Sequence, residues 1–464
     1  MKDTEARESA VVRAPHDGSE VGVYGLATPA DVQAALDANV RAAAACRDLP
    51  AHARAAALRR IAAALEARKG EFARTLALEA GKPIAQARLE LDRAIFAFTD
   101  AAEEATRIEG AVLPTDSMPA GEGRIAITRR FPLSPIAGIT PFNFPVLLAA
   151  HKIAPAMACG AAITLKPPPQ DPLTTLRLEE LVRESGYPEG GVNVVPCRVE
   201  VAQLLIEDPR VRLITFTGSA RAGWAIRAKA GSKRVTLELG GNGGVIVEPD
   251  ADLGWAATRC AAGAFAYSGQ SCISTQRIFV HERVYRDFTD LLLARVRDLR
   301  MGDVLDERTD VGPLISLDAA VRVERWIAEA VAGGAQVAAG GKRHGQTIEP
   351  TVLLHTTAEM KVNCEEVFAP LVTVTPYRRV EDAVAQINAS PYGLQAGVFT
   401  RDLATMFRLH AELDVGGVNG NDVPGFRVDR LPYGGAKASG LGREGVRYAI
   451  QEMTELRVLT LKLD

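Results

Sequence analysis

The stretch VTLELGGNGGVIVE, residues 235–248, sets two apolar strand-like runs on either side of Gly240, Gly241, Gly243 and Gly244. Runs rich in Val, Thr, Leu and Ile that end at glycine read as strands, and glycines in series loosen the backbone between them. Upstream, PIAGI (135–139), AITL (162–165), VNVV (192–195) and LITF (213–216) repeat the first run, with helical stretches between them. Downstream, QRIFV (276–280), LVTVT (371–375) and AGVFT (396–400) repeat the second. Such alternation predicts parallel strands joined by crossover helices. The chain is therefore expected to be α/β, with two lobes that meet near residues 240–244.

Residues 30–108 read as helices, because Leu58, Ile61, Leu65 and Phe72 recur at spacings of three, four and seven, one apolar face at the helical period. At the other end, TELRVLTLKLD (454–464) alternates like an edge strand that needs a partner, in this chain or in another subunit. The alternation slips by one residue between Val458 and Leu459, which predicts a bulge or a later strand start there.

With 464 residues the chain is too long for one ordinary core, so two or three lobes are expected. A formal net charge of −3 supplies no electrostatic pull toward nucleic acid or an anionic membrane, which leaves small-molecule chemistry as the default. No apolar run approaches the roughly 20 residues of a spanning helix, and the start MKDTEARESAVVRAPHDG lacks the apolar centre of a secretory signal. A cytoplasmic location is the resulting expectation. Cys46, Cys159, Cys197, Cys260, Cys272 and Cys364 form no CxxC pair and have no histidine at ligand spacing, so neither a metal site nor a disulfide framework is expected.

Three segments carry candidate chemistry. In FAYSGQSCISTQRIFV (265–280), Cys272 follows a Gly-Gln-Ser turn and precedes a strand-like run, an accessible place for a nucleophilic thiol. Glu238 ends a strand beside glycines that admit another chain or a ligand, so its carboxylate is placed to activate water. Asn143, in ITPFNFP (139–145), stands between two prolines, and a side-chain amide held rigid in advance suits an oxyanion. Taken singly, each has an ordinary alternative: an inert buried thiol, a surface acid, a turn asparagine.

Together with nine segments in order, these residues resemble the aldehyde dehydrogenase superfamily over nearly the whole chain. The segments are TPFNFP (140–145), LKP (165–167), FTGS (216–219), ELGG (238–241), GQSC (269–272), MGD with DVGPLI (301–303 and 310–315), EEVFAP (365–370), YGLQAGVFT (392–400) and PYGGAKASGLGREG (432–445). The resemblance implies a Rossmann-like NAD(P)-binding domain (residues 1–107 and 128–239), an α/β catalytic domain (240–424) and a small β oligomerisation element (108–127 and 425–464). By resemblance Cys272 attacks the aldehyde, Asn143 and the Cys272 N–H hold the oxyanion, Glu238 activates the hydrolytic water, and Lys152 stands in a proton relay behind it. The cofactor surface it implies comprises Ile139, Thr140, Phe142, Lys166, Pro169, Gly218, Ser219, Leu239, Glu366 and Phe368. Gly218 and Ser219 begin a helix whose N–H groups and dipole favour the pyrophosphate. No GxGxxG follows the first strand, and the superfamily binds its dinucleotide without one.

Departures from the family pattern bear on specificity. After Lys166 many NAD-preferring relatives carry Lys-Pro-x-Glu, whereas this chain reads Lys166-Pro167-Pro168-Pro169. Without that carboxylate a 2′-phosphate meets no like charge, so NADP is expected to be accepted alongside NAD. Cys197 replaces a usual glycine, and Phe142 a usual tryptophan. The segment FRVDRLPYGG (426–435) resembles the branch that acts on small polar aldehydes such as lactaldehyde and semialdehydes. Arg93 occupies a helix position that in some relatives grips an anionic substrate, while Ser271 stands where phosphonate-acting relatives carry a second arginine. Two other readings remain: a CoA-acylating semialdehyde dehydrogenase, which the presence of Glu238 disfavours, and a recruited structural protein. The expected partners are a small aldehyde and further copies of the chain in a homodimer or homotetramer.

Overall fold

The computed structural model describes residues 8–463, so the first seven residues of the charged start, and Asp464, lie outside it. The five upstream runs form parallel strands of one sheet, in spatial order Arg234–Glu238, Leu213–Thr217, Ile136–Ile139, Ile163–Lys166, Val192–Val194. Gly440–Leu441, from far along the chain, adds an antiparallel pair to the free edge of Arg234–Glu238. Four helices, Pro29–Asp48, Ala51–Ala67, Lys69–Ala80 and Ile84–Glu104, supply the expected N-terminal bundle. The first begins at a capping box in which Thr28 and Asp31 satisfy each other's backbone N–H. Leu58, Ile61, Leu65 and Phe72 are fully buried, as their spacing predicts. They share a core with Pro145–Cys159, a helix buried along its whole length between the sheet and Ile84–Glu104.

A second sheet of seven strands runs Gln336–Ala339, Thr351–Leu354, Leu371–Tyr377, Thr275–His281, Gly243–Val247, Gln395–Phe399, Gly417–Gly420. All neighbours are parallel except the first pair. The sheet-to-sheet passage falls between Glu238 and Gly243, as the glycine run predicts. Three strands of this sheet escape the sequence reading. Gln336–Ala339 is short and largely open to solvent, Thr351–Leu354 spans four residues, and Gly417–Gly420 is a glycine-bounded edge without apolar alternation.

Thr454–Lys462 pairs antiparallel with Arg124–Pro132, which in turn pairs with Val112–Leu113. The expected bulge at Val458 and Leu459 is absent: the register runs unbroken from Thr454↔Pro132 to Lys462↔Arg124. The physical reason lies in the exposure of Leu456, Val458, Leu459 and Leu461, which together point to both faces of the ribbon. With neither face packed on a core in the single chain, nothing forces a register shift to bury one set. The strand Arg124–Pro132 also runs continuously past residue 127, where the oligomerisation element was expected to stop. Among the described residues no helix is long and apolar enough to cross a membrane.

Candidate active site

Cys272 is delivered by an abrupt turn. After the helix Leu253–Phe265, Tyr267, Ser268 and Gly269 adopt positive φ of 47°, 54° and 67° in succession. Two non-glycine residues in this region store strain that the surroundings must offset. Here the Tyr267 hydroxyl donates to Ala80 O at 3.0 Å, and the Ser268 hydroxyl donates to Gly312 O at 2.8 Å while accepting from Gly312 N at 3.1 Å. A side chain at Gly269 would meet Ala369 O at 2.1 Å, and one at Gly241 would meet Cys272 O at 2.2 Å. The glycines after Glu238 thus allow the approach read from the sequence.

A cavity of about 480 Å³ opens where these elements converge, and Cys272, Asn143 and Glu238 all line it. Cys272 is partly exposed toward it, and its Sγ lies 3.1 Å from the Tyr433 hydroxyl. Burial pushes the thiol up to about 12, with Tyr433 opposing. Asn143 is buried; its Nδ2 donates to Gln270 O at 3.0 Å, which leaves one N–H for another acceptor, and its backbone carbonyl accepts from Lys82 Nζ at 2.7 Å. Lys82 is itself fully buried, paired with Glu90 and set 4.1 Å from the ring centroids of both Phe144 and Tyr267. Glu238 ends its strand with Oε2 unpartnered among the described residues. Burial first, then the Glu444 carboxylate, hold its carboxyl well above the usual range.

Lys152 does not line the cavity. It is fully buried in Pro145–Cys159 and donates to Thr215 Oγ1 at 3.0 Å, Thr217 Oγ1 at 2.8 Å and Glu444 Oε1 at 3.3 Å. Despite burial, Lys152 and then His151 hold Glu444 well below the usual carboxylate range.

Phe142, Gly218, Ser219, Leu239, Glu366 and Phe368 line the same cavity. Ser219 caps the helix Ala220–Lys229 by accepting from Ala222 N. Glu366 Oε1 accepts from Gly241 N at 3.0 Å, and burial raises this carboxyl to about 7. Phe368 meets Phe142 edge-on, ring centroids 5.8 Å apart. Ile139, Thr140, Lys166 and Pro169 stand apart from the cavity, at the carboxyl ends of the two central strands. Ile139 pairs with Lys166, and Thr140 N donates to Lys166 O at 3.1 Å. Such strand ends are where dinucleotides bind in open α/β sheets. Thr140 Oγ1 is buried without a partner among the described residues, and Lys166 is buried with its ammonium pKa lowered by desolvation. Pro169 is exposed, and its carbonyl accepts from the Tyr24 hydroxyl at 3.0 Å. An orphan hydroxyl, a capped helix N-terminus and a cation on one sheet edge fit a dinucleotide.

The structure also supplies residues that the sequence reading left out. Arg427 lines the cavity with its side chain 7% exposed, its guanidinium carbon 3.7 Å from the centroid of the Tyr433 ring. Its Nη2 lies 3.2 Å from His151 Nδ1 and 3.5 Å from Glu444 Oε2. Its Nε is 3.3 Å from Asp429 Oδ1, yet misaligned and without a hydrogen bond among the described residues. Arg93 lines the cavity too, but its guanidinium clamps Asp429 in two hydrogen bonds of 2.9 and 2.7 Å. His151 Nε2 lies 3.2 Å from the same carboxylate. The two Arg93 hydrogen bonds, with His151 close by, outweigh burial and hold Asp429 well below the usual carboxylate range. FRVDRLPYGG was a branch signal, but three charges in four residues (427–430) ordinarily mark a solvated face.

Residues 2–459 match the aldehyde dehydrogenase family. The chain is 45% identical over 400 residues to the 3-sulfolactaldehyde dehydrogenase of Priestia aryabhattai, covering 86% of this chain and 84% of that protein. Among solved structures it resembles aldehyde dehydrogenase 21 from Physcomitrella patens in complex with the reaction product succinate. That match has a TM-score of 0.96 and 41% identity, covering 99% of this chain and 96% of the other. It also resembles the glyceraldehyde-3-phosphate dehydrogenase GapN from Methanocaldococcus jannaschii complexed with NADP, with a TM-score of 0.94, 35% identity and coverage of 99% and 100%.

Proposed function

The chain belongs to the aldehyde dehydrogenase family of NAD(P)-dependent enzymes, and from that premise we propose that it oxidises a small aldehyde with an anionic head group to the acid through Cys272. The convergence of Cys272, Asn143 and Glu238 on one cavity that also holds Arg427 carries this reading. Cys272 Sγ bonds to the aldehyde carbon, and the carbonyl electron pair moves to oxygen. The free N–H of Asn143 Nδ2 and the Cys272 backbone N–H donate to that oxyanion. NAD(P), when bound, supplies the hydride acceptor. It would be held by Phe142, Gly218, Ser219, Leu239, Glu366 and Phe368 toward the cavity, and by Ile139, Thr140, Lys166 and Pro169 at the carboxyl ends of the strands. Glu238 then takes a proton from water, whose oxygen attacks the acyl carbon and returns Cys272 Sγ as the leaving group. Lys152 and Glu444 relay that proton from Glu238 toward solvent.

The head group is assigned to Arg427, which lies on the cavity wall against the Tyr433 ring without a hydrogen bond to a carboxylate, whereas Arg93 is clamped by Asp429 in two hydrogen bonds and serves to anchor it. The three similar proteins are named for an aldehyde or product that bears a sulfonate, a carboxylate or a phosphate, which a guanidinium binds through charge-assisted hydrogen bonds. With Pro169 in place of a ribose-binding carboxylate, NADP is accepted alongside NAD. Residues 1–107 and 128–239 form the cofactor domain and 240–424 the catalytic domain. The ribbon around Thr454–Lys462 joins copies into a dimer or tetramer.

A spectrophotometric assay at 340 nm tests the reading with 3-sulfolactaldehyde, succinic semialdehyde and neutral propanal, each with NAD and NADP and without CoA. The expected result is turnover of the anionic aldehydes to free acid, lost in Cys272→Ala. A preference for propanal, or dependence on CoA, would refute it. An NAD preference above roughly tenfold, about 1.4 kcal/mol, would refute the reading of Pro169.

A further inference from the structure

Tyr433 has no role in the chemistry above, yet its hydroxyl is the polar group hydrogen-bonded to the nucleophile, 3.1 Å from Cys272 Sγ. The ring is 4% exposed and cannot swing away. Its backbone exchanges hydrogen bonds with Glu444 in both directions, at 3.0 and 2.6 Å, in an isolated antiparallel bridge. One face carries the Arg427 guanidinium at 3.7 Å. A cation there withdraws electron density from the ring and strengthens the phenol as a donor.

The charged and titratable groups around Sγ come from several elements. Glu238 comes from the end of Arg234–Glu238, Glu366 from the loop after Lys361–Cys364, and Arg427 and Tyr433 from the C-terminal segment. The two carboxylates disfavour a thiolate, and burial disfavours it more. Tyr433 and Arg427 act the other way.

We propose that Tyr433 is a further catalytic residue, whose O–H donates to Cys272 Sγ and stabilises the thiolate, with Arg427 polarising the phenol from behind. The inference rests on Cys272 being the nucleophile. On ionisation the thiol proton passes to solvent and Tyr433 keeps its own. Burial, together with the charges of Cys272 and Glu238, holds the phenol in its protonated form, so that once Cys272 is a thiolate Tyr433 is the donor of the pair. When Sγ bonds to the aldehyde carbon, its negative charge moves to the substrate oxygen and the Tyr433 hydrogen bond weakens.

The test is the pH profile of Cys272 alkylation by iodoacetamide in the full-length protein, followed by mass spectrometry of the Cys272 peptide, in the parent and in Tyr433→Phe. That substitution removes one oxygen and keeps the ring under Arg427, so the fold is retained. The expected result is that the rising limb of Tyr433→Phe lies about one pH unit above that of the parent, a tenfold loss of thiolate at each pH on that limb. Coincident limbs would overturn the role of Tyr433. Loss of dehydrogenase activity in step with alkylation of the parent supports the nucleophile assignment separately. Full activity after complete alkylation would overturn that assignment, and the Tyr433 inference with it.

Discussion

Arg427→Gln is the perturbation that most sharply separates head-group recognition from the chemical step. In the parent, Arg427 borders the cavity, and its guanidinium makes one hydrogen-bond contact, at 3.2 Å to His151 Nδ1, among the described residues, so an incoming anion adds a partner to a cation already at the cavity wall. The carboxylates behind it do not depend on Arg427 alone. Asp429 retains Arg93 at 2.7 Å and His151 at 3.2 Å, and Glu444 retains Lys152 at 3.3 Å and His151 at 3.4 Å. The substitution therefore leaves no buried carboxylate without a partner, and the fold is expected to hold. One hydrogen bond between charged groups contributes about 1.5–3 kcal/mol, or about 10- to 150-fold in kcat/KM. Steady-state kinetics on an anionic aldehyde and on propanal give the ratio of the two losses. That ratio is expected to exceed about tenfold, because any weakening of the Tyr433 and Cys272 contact lowers both rates equally and cancels. Equal losses for the two substrates would refute the placement of the head group against Arg427.

Glu238→Gln is expected to leave the first hydride burst near one per active site while slowing steady turnover at least a hundredfold, in the range of general-base contributions of about 10²–10⁴; rapid-mixing absorbance checks this, and undiminished steady turnover counts against the base. Because Glu444 raises the Glu238 carboxyl, Glu444→Gln should move the acid limb of the deacylation profile to lower pH, and an unmoved limb would show the two to be uncoupled. Lys82→Met strips a buried Glu90 of its cation and Asn143 O of its donor, so a loss of about 3–5 kcal/mol is expected in urea unfolding, partly returned by adding Glu90→Gln. Ending the chain at Met453 should shift the assembly to smaller species on a sizing column, and an unchanged elution volume would remove the C-terminal strand from assembly.

Much of the molecule was legible where short-range pattern and burial agree. Leu58, Ile61 and Leu65 share a helix-period face, Phe72 reaches the same core from the next helix, and the five upstream runs are largely apolar because both faces of that sheet are covered. Cys272, Glu238 and Asn143 sit at turns and strand ends, where glycine and proline mark the chain. The network of Arg427, Asp429, His151 and Glu444 was not legible for the opposite reason. Arg427, Asp429 and Glu444 share one segment, but His151 joins them from 276 residues away, and the set buries only together, each charge acceptable in the interior because the others are there. Val458 and Leu459 failed differently: a register rule that assumes one buried face does not bind a ribbon with none. Lys82 was overlooked because a lysine after a helix normally points to water, and no sequence period signals two aromatic rings closing over it.

Residues 425–464 place Arg427, Tyr433 and Glu444 on the cavity, lay Gly440–Leu441 on the cofactor sheet, and finish as the exposed strand Thr454–Lys462. On the assignments proposed above, head-group choice, nucleophile tuning and subunit contact fall in one uninterrupted stretch of sequence. A single crossover near codon 424 between two such enzymes moves all three together. Hybrids made there inherit a matched substrate and a matched partner, whereas crossovers between 433 and 454 separate them.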